Sequence, residues 1–500
     1  EIRNLEAQLL YLDICTLHRF DCPVRAGMIS RLSNITFEDF RDRFMQPLEK
    51  VVEAFQDYKI GDFVYRTRHP EIASFVFERA LETEAQRATQ LARMLQYLNP
   101  EYSVDGKALE HILKGRRLAE VFADKALVHQ LFTTAESVGI DPAFVWHQRA
   151  VFELHHRGSD LRSALSSINK ALELANKDYT SLKHTKANIY RRLAKETKDA
   201  QEREEYHSRA KEVLSPLTKT ARDSYPVTLL VEVMIDELEC NLGLGANEEA
   251  REEPNEERPA LPLLMHEIKS KLDENTVKFP HDVHLLKASA RFSKVLSKFP
   301  ESKSILEKAS KIDPGNGQIA VLLARALSKA GQLGDAKAIL TNCNKVRGTQ
   351  VEVHFELAML LIREDEEKND EAIYHHLKRS FKSGDTRYRS RFELARFCYL
   401  HGRIDEAKKL FGELRKCKAS PHEKSRVRHV VKGQSRDNAQ FRGTIESVKP
   451  GYCWIRSYEF DETIFAHSSA FENDKKMKTG SGVTMTMAFT YKGPQAKSVA

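Results

Sequence analysis

A 34-residue internal repeat constrains the fold of this 500-residue chain more than any other feature of its sequence. Two antiparallel helices pack closely only where small side chains let their backbones approach, and stacked helical hairpins need such a contact in every repeat. The first small position of each unit recurs at intervals of 34, 34 and 37 residues, at Ala290, Ala324, Ala358 and Ala395. The surplus lies in the charged segment 364–370. The spacing therefore predicts stacked helix pairs over residues 263–416.

A second small residue follows in three of these units, at Ala336, Ala372 and Ala407. Turn-forming residues such as Asp313-Pro314-Gly315 separate the units. This pattern resembles the tetratricopeptide repeat, which has a proline between repeats where Pro314 stands. The resemblance implies an α-solenoid, and residues 136–246 are interpreted as less regular helical hairpins of the same kind. The acidic, proline-containing stretch 247–262 is predicted to be a loop.

Repeat arrays of this kind expose a concave groove that binds peptides or partner proteins. A pattern of Lys, Asn and Arg suited to clamping two carboxylates cannot be placed in these repeats. Two interpretations therefore stay open: the groove binds a protein partner, or the helices only space the flanking domains apart.

Residues 1–135 are predicted to be mostly helical, with one short strand at 61–67 and a helix that begins at Pro70. This order is compatible with a winged-helix unit. The phrase YRTRHPEIA resembles the segment that follows the nucleotidase core of STAND-type signalling NTPases. If the resemblance holds, Arg68 and His69 sense a nucleotide or an interface; otherwise they are a helix cap and a salt-bridge partner.

The chain opens with EIRNLEAQLL, which is neither a methionine start nor a signal peptide. We therefore expect it to be part of a longer protein. It contains no GxxxxGK[ST] loop. The alternative functional hypothesis is that the chain is the C-terminal sensor half of a STAND-type signalling or defence NTPase, whose nucleotide-binding domain lies upstream.

Residues 441–500 contain short alternating segments separated by turn residues, which predicts a small closed β-barrel. Side chains alternate between the two faces of a strand, so Tyr452 and Trp454 share one face. Phe465 and His467 share a face in the next predicted strand, and pairing of the two strands puts all four rings on one surface. Exposed rings in such a cluster are suited to base stacking. The opposite register would place these rings in the core.

GYCWI, IFAHSSAF and KGPQAKSV resemble, in this order, three motifs of the cold-shock domain, an OB-type five-stranded barrel. The resemblance implies that single-stranded RNA or DNA binds at Tyr452, Trp454, Phe465, His467, Lys492, Lys449 and Arg442. The family usually has a Trp-Phe pair where Ser447 and Val448 stand, and its following loop is about two residues longer. These departures predict a smaller platform and weaker intrinsic affinity.

Positive charge is concentrated just before the predicted barrel, in a basic linker at 417–440. Basic flanks often extend the electrostatic track along a phosphate backbone, although such runs are also common as solvated linkers. The flank assigned to nucleic-acid binding consists of Lys424, Arg426, Arg428, Lys432 and Arg436.

The fold class expected from these patterns is multidomain and mainly α, with a C-terminal all-β barrel. The sparse cysteines, without a CxxC pair, indicate reduced thiols and a cytoplasmic protein. No apolar run long enough for a membrane span, no catalytic or metal-binding motif and no cofactor site is apparent. We expect a binding protein and not an enzyme, with self-association possible. The choice between RNA and DNA stays open because stacking does not read the 2′-hydroxyl, and RNA is favoured by the usual ligand of the family.

Overall fold

The computed structural model divides the chain into two compact units. The first unit comprises residues 1–302 with 384–386, and the second comprises 303–383 with 387–500. The structure describes residues 4–58, 61–156, 158, 160–177, 179–220, 222–244, 260–348, 350–382, 385, 387–417, 424, 427, 429–431, 437–471 and 477–500.

The first unit begins with helices around a small antiparallel sheet. Its elements are α1 Leu5–His18, β1 Val24–Arg25, α2 Ala26–Ser33, a π-helical turn Arg41–Met45, α3 Gln46–Leu48, β2 Val52–Asp57, β3 Asp62–Thr67 and α4 Pro70–Ala80. The strand order is β1-β3-β2. The strand expected at 61–67 is therefore present, and β1 and β2 are two further strands that the sequence did not lead us to expect. His69 Nδ1 accepts a hydrogen bond from Glu71 N at 3.2 Å, so His69 caps α4.

Helices make up the rest of the first unit. They are α5 Glu84–Leu95, α6 Ser103–Leu113, α7 Gly115–Val121, α8 Lys125–Ser137, α9 Pro142–His155, α10 Leu161–Leu174, α11 Thr180–Glu196, α12 Ala200–Thr220, α13 Tyr225–Asn241, α14 Ala260–Lys278 and α15 Val283–Val295. The loop predicted at 247–262 needs one correction, because α14 already begins at Ala260 and Pro262 lies in its first turn. Proline is tolerated there since the first N–H groups of a helix have no intrahelical partner. Residues 245–259 lie outside the described part of the chain.

Regular helix pairs continue into the second unit. They are α16 Phe299–Ile312, within which the two units divide, α17 Gly317–Lys329, α18 Leu333–Val346, α19 Val351–Asp365, α20 Asp370–Arg379, α21 Tyr388–Leu400 and α22 Ile404–Lys416. The four alanines of the first small position are all buried.

The second small position was predicted correctly in two units and wrongly in one. Ala336 and Ala407 are fully buried, but Ala372 is exposed. Ile373 takes the buried position instead. The extra residues between α19 and α20 shift the start of α20, and the neighbouring residue thus turns toward the partner helix.

Five strands of the second unit close into a barrel. A short strand, β4 His429–Val430, precedes β5 Gln440–Lys449, β6 Tyr452–Ser457, β7 Thr463–His467, β8 Gly482–Thr490 and β9 Gly493–Val499. Neighbours pair in the order β8-β5-β6-β7-β9, and β9 pairs with β8 to close the ring. The β7–β9 pair is parallel, whereas the other pairs are antiparallel. This closure leaves no free edge among the five strands.

The barrel is packed directly on the last helix pair, α21 and α22. Phe489 of β8 is fully buried and stacks on Phe411 with ring centroids 6.0 Å apart at an interplanar angle of 8°. Tyr399 of α21 contacts Phe489 at 5.4 Å and Phe460 at 5.0 Å. Buried side chains of α19–α22 and of the barrel form one hydrophobic core. The barrel thus covers an apolar end of the helical array, where another repeat would otherwise be needed.

Part of the predicted linker 417–440 belongs to this packed structure. His429 and Val430 pair with Phe489 and Ala488 of β8. Val431 N donates to Met487 O at 2.9 Å. The segment was expected to be a linker because basic residues dominate it, but its few apolar residues extend the sheet.

Candidate nucleic-acid interface

The proline–glycine turn between β5 and β6 sets the register of the candidate interface. Gly451 has φ +81°, a conformation that glycine adopts at little cost. Its carbonyl accepts a hydrogen bond from Ser468 N at 2.9 Å, which fixes the turn to the end of β7. Strands β6 and β7 then pair with Tyr452 opposite His467 and with Trp454 opposite Phe465.

Burial alternates along both strands, as predicted. Four small or aliphatic side chains point inward and are fully buried: Cys453, Ile455, Ile464 and Ala466. Burial also raises the pKa of the Cys453 thiol. Their neighbours Tyr452, Trp454, Phe465 and His467 face outward, half-buried or exposed. The register that would have placed the rings in the core is therefore excluded.

Three of the outward rings form a compact cluster, which we call the ring platform: Tyr452, Trp454 and Phe465. The centroid of Phe465 lies 5.4 Å from that of Tyr452 and 5.7 Å from that of Trp454. The interplanar angles are 31° and 74°, so the rings present both faces and edges. Trp454 is 37% exposed, which is unusual for so large an apolar side chain. The platform offers flat apolar surface to which unpaired bases can stack.

His467 lies beside the ring platform but is held by a different contact. Its Nδ1 accepts a hydrogen bond from Ser469 N at 3.2 Å and lies 2.9 Å from Ser469 Oγ. A nitrogen that accepts an N–H carries no proton of its own, so neutral His467 is protonated at Nε2. No ring contact joins His467 to Tyr452, Trp454 or Phe465 in the described part of the chain. It is therefore suited to polar contact more than to stacking.

Strand β5 supplies the neighbours of the ring platform on one side. Ser447 pairs with Trp454, and Lys449 pairs with Tyr452, after a bulge in β5. Lys449 is exposed and continues the row formed by Tyr452 and His467. Ser447 adds no aromatic surface beside Trp454, so the platform does not extend onto β5 at this position.

Strand β9 borders the ring platform on the other side and contributes a residue that sequence reasoning missed. Gln495 pairs with Phe465, and Ala496 pairs with Ala466. Lys497 comes next along β9, is exposed, and lies at the end of β7 that carries His467. Only the KGPQAKSV motif could have pointed to it, because the parallel β7–β9 pairing cannot be read from local alternation.

The structure does not bring Arg442 to the ring platform. Arg442 pairs with Thr484 of β8, and its carbonyl accepts a hydrogen bond from Tyr458 N at 2.9 Å. Five positions separate it from Ser447 along β5, roughly 15 Å at the rise of a strand. The prediction that Arg442 belongs to the same site is corrected accordingly.

Lys492 lies in the turn between β8 and β9, three residues before Gln495, and its side chain is exposed. Its carbonyl accepts a hydrogen bond from Arg415 Nε at 3.0 Å, which ties this turn to α22. Lys492 therefore flanks the platform at the end where β7 begins, roughly 10 Å from the Phe465 row.

Arg456 is exposed on the outer side of β6 but is already neutralised. Its guanidinium lies 2.8 Å from Asp461 and 3.6 Å from Glu446. The hydrogen bond to Asp461 raises the pKa of Arg456. Among the described residues that border the ring platform, Lys449, Lys497 and Lys492 thus offer positive charge to a phosphate.

The basic flank is described at one of its five residues. Lys424 Nζ donates to Cys417 O at 2.8 Å. Arg426, Arg428, Lys432 and Arg436 lie outside the described residues.

The helix pairs of the second unit form a further exposed surface. The first helices of successive pairs, α17 and α19, lie side by side, and Arg325 Nε donates to Glu356 Oε1 at 3.0 Å between them. Leu322 is exposed on the same helix as Arg325, and Arg389 packs over Phe355 at 5.5 Å. This mixture of charged and apolar side chains is suited to a peptide or protein ligand.

Within the described ranges, no group of three or more His, Cys, Asp or Glu side chains is arranged to hold a metal ion. No helix in those ranges combines the length and apolarity needed to cross a bilayer.

Comparison with known proteins identifies the repeats. Residues 296–344 match the family model of the tetratricopeptide repeat. No curated protein matches the chain.

Three solved structures that match this chain are only distantly similar to it. The tetratricopeptide-repeat protein TTC0263 of Thermus thermophilus is 16% identical and covers 44% of this chain and 99% of its own, with a TM-score of 0.33. Human IFIT1, solved as a dimer with PPP-AAAA, is 14% identical and covers 77% of this chain and 82% of its own, with a TM-score of 0.39. The Pyrococcus horikoshii STAND protein PH0952, which has a tetratricopeptide-repeat sensor, is 14% identical and covers 82% of this chain and 62% of its own, with a TM-score of 0.31. These similarities carry no statement about function. The chain combines tetratricopeptide repeats with a C-terminal five-stranded β-barrel.

Proposed function

We propose that this chain binds single-stranded nucleic acid, RNA in the first place, by stacking bases on the ring platform. The observation that supports the proposal most is the outward placement of Tyr452, Trp454 and Phe465 in one contiguous cluster. Each stacked base contributes about 1–3 kcal/mol with little dependence on sequence. Single-stranded chains with splayed bases fit such a surface, whereas a duplex hides its base faces.

Exposed lysines frame the platform where a backbone would leave it. Lys449 and Lys497 lie at one end and Lys492 lies toward the other. Phosphates near these side chains would make binding weaken as salt increases. His467, with its Nε2–H available, adds a donor for a base edge or a phosphate oxygen.

The repeats serve in this proposal as a scaffold for a protein partner. The charged and apolar side chains along α17 and α19 support this part, together with the peptide-binding use of such grooves. The chain would act by binding and not by catalysis, with the barrel recognising nucleic acid and the repeats recruiting protein.

A fluorescence-anisotropy titration of the whole chain with labelled RNA and DNA heptamers tests the proposal. Trp454→Ala should weaken binding about 5- to 150-fold, and Phe465→Ala should act in the same direction. Tyr458→Ala is the matched control, because Tyr458 is an aromatic residue of the same barrel, 64% exposed, in the loop after β6.

Circular dichroism melts should show that the three variants keep the fold. Full affinity in the Trp454→Ala, Phe465→Ala double variant would reject stacking on the platform. Equal losses in the double variant and in Tyr458→Ala would instead point to a general effect on the barrel.

A further inference from the structure

A cluster of arginines in the first unit is built around one phenylalanine ring. Arg19, at the end of α1, places its guanidinium carbon 4.3 Å from the centroid of Phe20 and 3.7 Å from that of Phe77. Arg117 of α7 places its guanidinium carbon 4.4 Å from the same Phe20 centroid. The two guanidinium carbons therefore lie within about 9 Å of each other, so their positive charges repel.

No carboxylate of the described part of the chain forms an ion pair with these arginines. Arg19 makes neither an ion pair nor a side-chain hydrogen bond there, and its buried Nε has no partner. Arg117 Nη1 donates to His111 Nδ1 and to the backbone oxygen of His111, at 3.3 Å in both cases. Arg87 is buried and donates from Nε to Leu81 O at 2.9 Å, again without an acidic partner.

Two neighbouring acids, Glu120 and Glu78, raise the pKa of Arg117 and of Arg19 respectively, without forming an ion pair with either. Glu120 lies 3.7 Å from Arg116 and forms its ion pair there. The charge of Glu78 raises the pKa of Arg19, but the Glu78 carboxylate does not lie within ion-pair distance of the guanidinium. Burial lowers the pKa of Arg19 to about 9, and the charges of Arg117 and Arg87 act in the same direction. Burial also lowers the pKa of Arg117.

A half-buried guanidinium without an anion is an unfavourable arrangement unless something else supplies the negative charge. The Phe20 ring fixes both groups by cation–π contact, so little side-chain freedom remains to be lost on binding. Guanidinium forks match the oxygens of phosphate with paired, charge-assisted hydrogen bonds. A phosphate has enough oxygens to accept hydrogen bonds from two guanidinium forks, whereas a carboxylate has only two oxygens and fits one fork.

We infer that Arg19 and Arg117 form a binding site for a phosphate dianion, with Phe20 holding both guanidinium groups and Arg87 adding positive charge. The phosphate is either a free ion or the terminal phosphate monoester of a larger molecule. The site lies in the first unit and does not depend on nucleic-acid binding by the barrel.

Equilibrium dialysis of the whole chain against inorganic phosphate, at constant ionic strength, tests the inference. We expect saturable binding of one phosphate per chain, and a loss of at least tenfold in affinity in both Arg19→Ala and Arg117→Ala. Arg116→Ala is the matched control, since Arg116 is the adjacent, exposed arginine with its own acidic partner. If an alanine variant does not fold, Arg19→Lys replaces it, because lysine keeps the charge and loses the fork.

Competition by phenyl phosphate separates the two sources of the phosphate. Displacement of inorganic phosphate by the monoester assigns the site to a larger phosphorylated ligand, and failure to displace it assigns the site to the free ion. Absence of saturable phosphate binding, or an equal loss in Arg116→Ala, overturns the inference.

Discussion

The packing of the barrel on the last helix pair predicts that a mutation in a helix will destabilise the barrel. Phe411 belongs to α22, is buried, and stacks on Phe489 of β8. It also lies close to the β8–β9 turn, since a Cβ built on Gly493 would be 3.8 Å from its ring. Phe411→Ala should therefore weaken both the helix pair and the barrel.

The loss in free energy of unfolding can be divided between the helix pair and the barrel. A buried Phe→Ala substitution costs about 3–5 kcal/mol in all. The barrel loses the aromatic pair with Phe489, about 0.5–1.5 kcal/mol, and part of the apolar burial that Phe411 provides, so we expect about 1–2 kcal/mol. For a domain of this size the free energy of unfolding decreases by about 1 kcal/mol per molar urea. The loss therefore lowers the urea midpoint of barrel unfolding by about 1–2 M.

The assay follows Trp454 fluorescence during urea unfolding of the whole chain. The chain has two tryptophans, and Trp146→Phe removes the one in α9, so that Trp454 alone reports on the barrel. Leu340→Ala is the control, because Leu340 is a buried residue of α18 outside the core that the barrel shares with α19–α22. An unchanged Trp454 midpoint in Phe411→Ala would refute the reasoning and show a barrel that is stable without the helices.

Three further predictions concern the barrel fold, acid stability and salt dependence. Gly443→Ala should destabilise the barrel by at least about 2 kcal/mol, since the added Cβ would lie 2.4 Å from the backbone oxygen of Arg456; an unchanged melting curve would contradict this. Burial lowers the pKa of His376 to about 4 in the folded chain. Between about pH 6.5 and 4 the unfolded chain therefore binds more protons than the folded chain, and the free energy of unfolding decreases as the pH is lowered through this window. His376→Gln should reduce the loss of stability between pH 7 and 5 by at most about 2 kcal/mol in urea titrations, and an equal loss in both proteins would reject the assignment. Lys449→Ala and Lys497→Ala should each weaken heptamer binding and reduce the salt slope by about 0.7, whereas an unchanged slope would mean that these lysines contact no phosphate.

Sequence reasoning predicted most where local periodicity decides the structure. Alternation along β6 and β7 placed Trp454 outside and Cys453 inside, because one face of each strand must fill the barrel. The repeat spacing correctly predicted that the alanines of α17 and α19 are buried between packed helices, because closely packed helices need a small side chain at the contact. It failed at Ala372, where an insertion moved the helix start by a residue and Ile373 became buried.

Features that depend on long-range closure could not be predicted in this way. The position of Lys497 next to β7 follows from the parallel β7–β9 pairing, and the separation of Arg442 from the rings follows from its pairing with β8. The contact of Phe489 with Phe411 joins residues of two domains that the sequence suggested were separated by a basic linker. A strand pattern shows which face is apolar, but it does not show that helices pack against the barrel.

Quenching of Trp454 by nucleic acid tests the central proposal most directly. In the Trp146→Phe chain, titration with an unlabelled RNA heptamer should quench Trp454 fluorescence, and the dissociation constant should equal the one obtained by anisotropy with the labelled heptamer. A DNA heptamer measured in the same way reports the preference between the two nucleic acids. Binding detected by anisotropy without any change in Trp454 fluorescence would place the ligand elsewhere on the chain and contradict stacking on the ring platform.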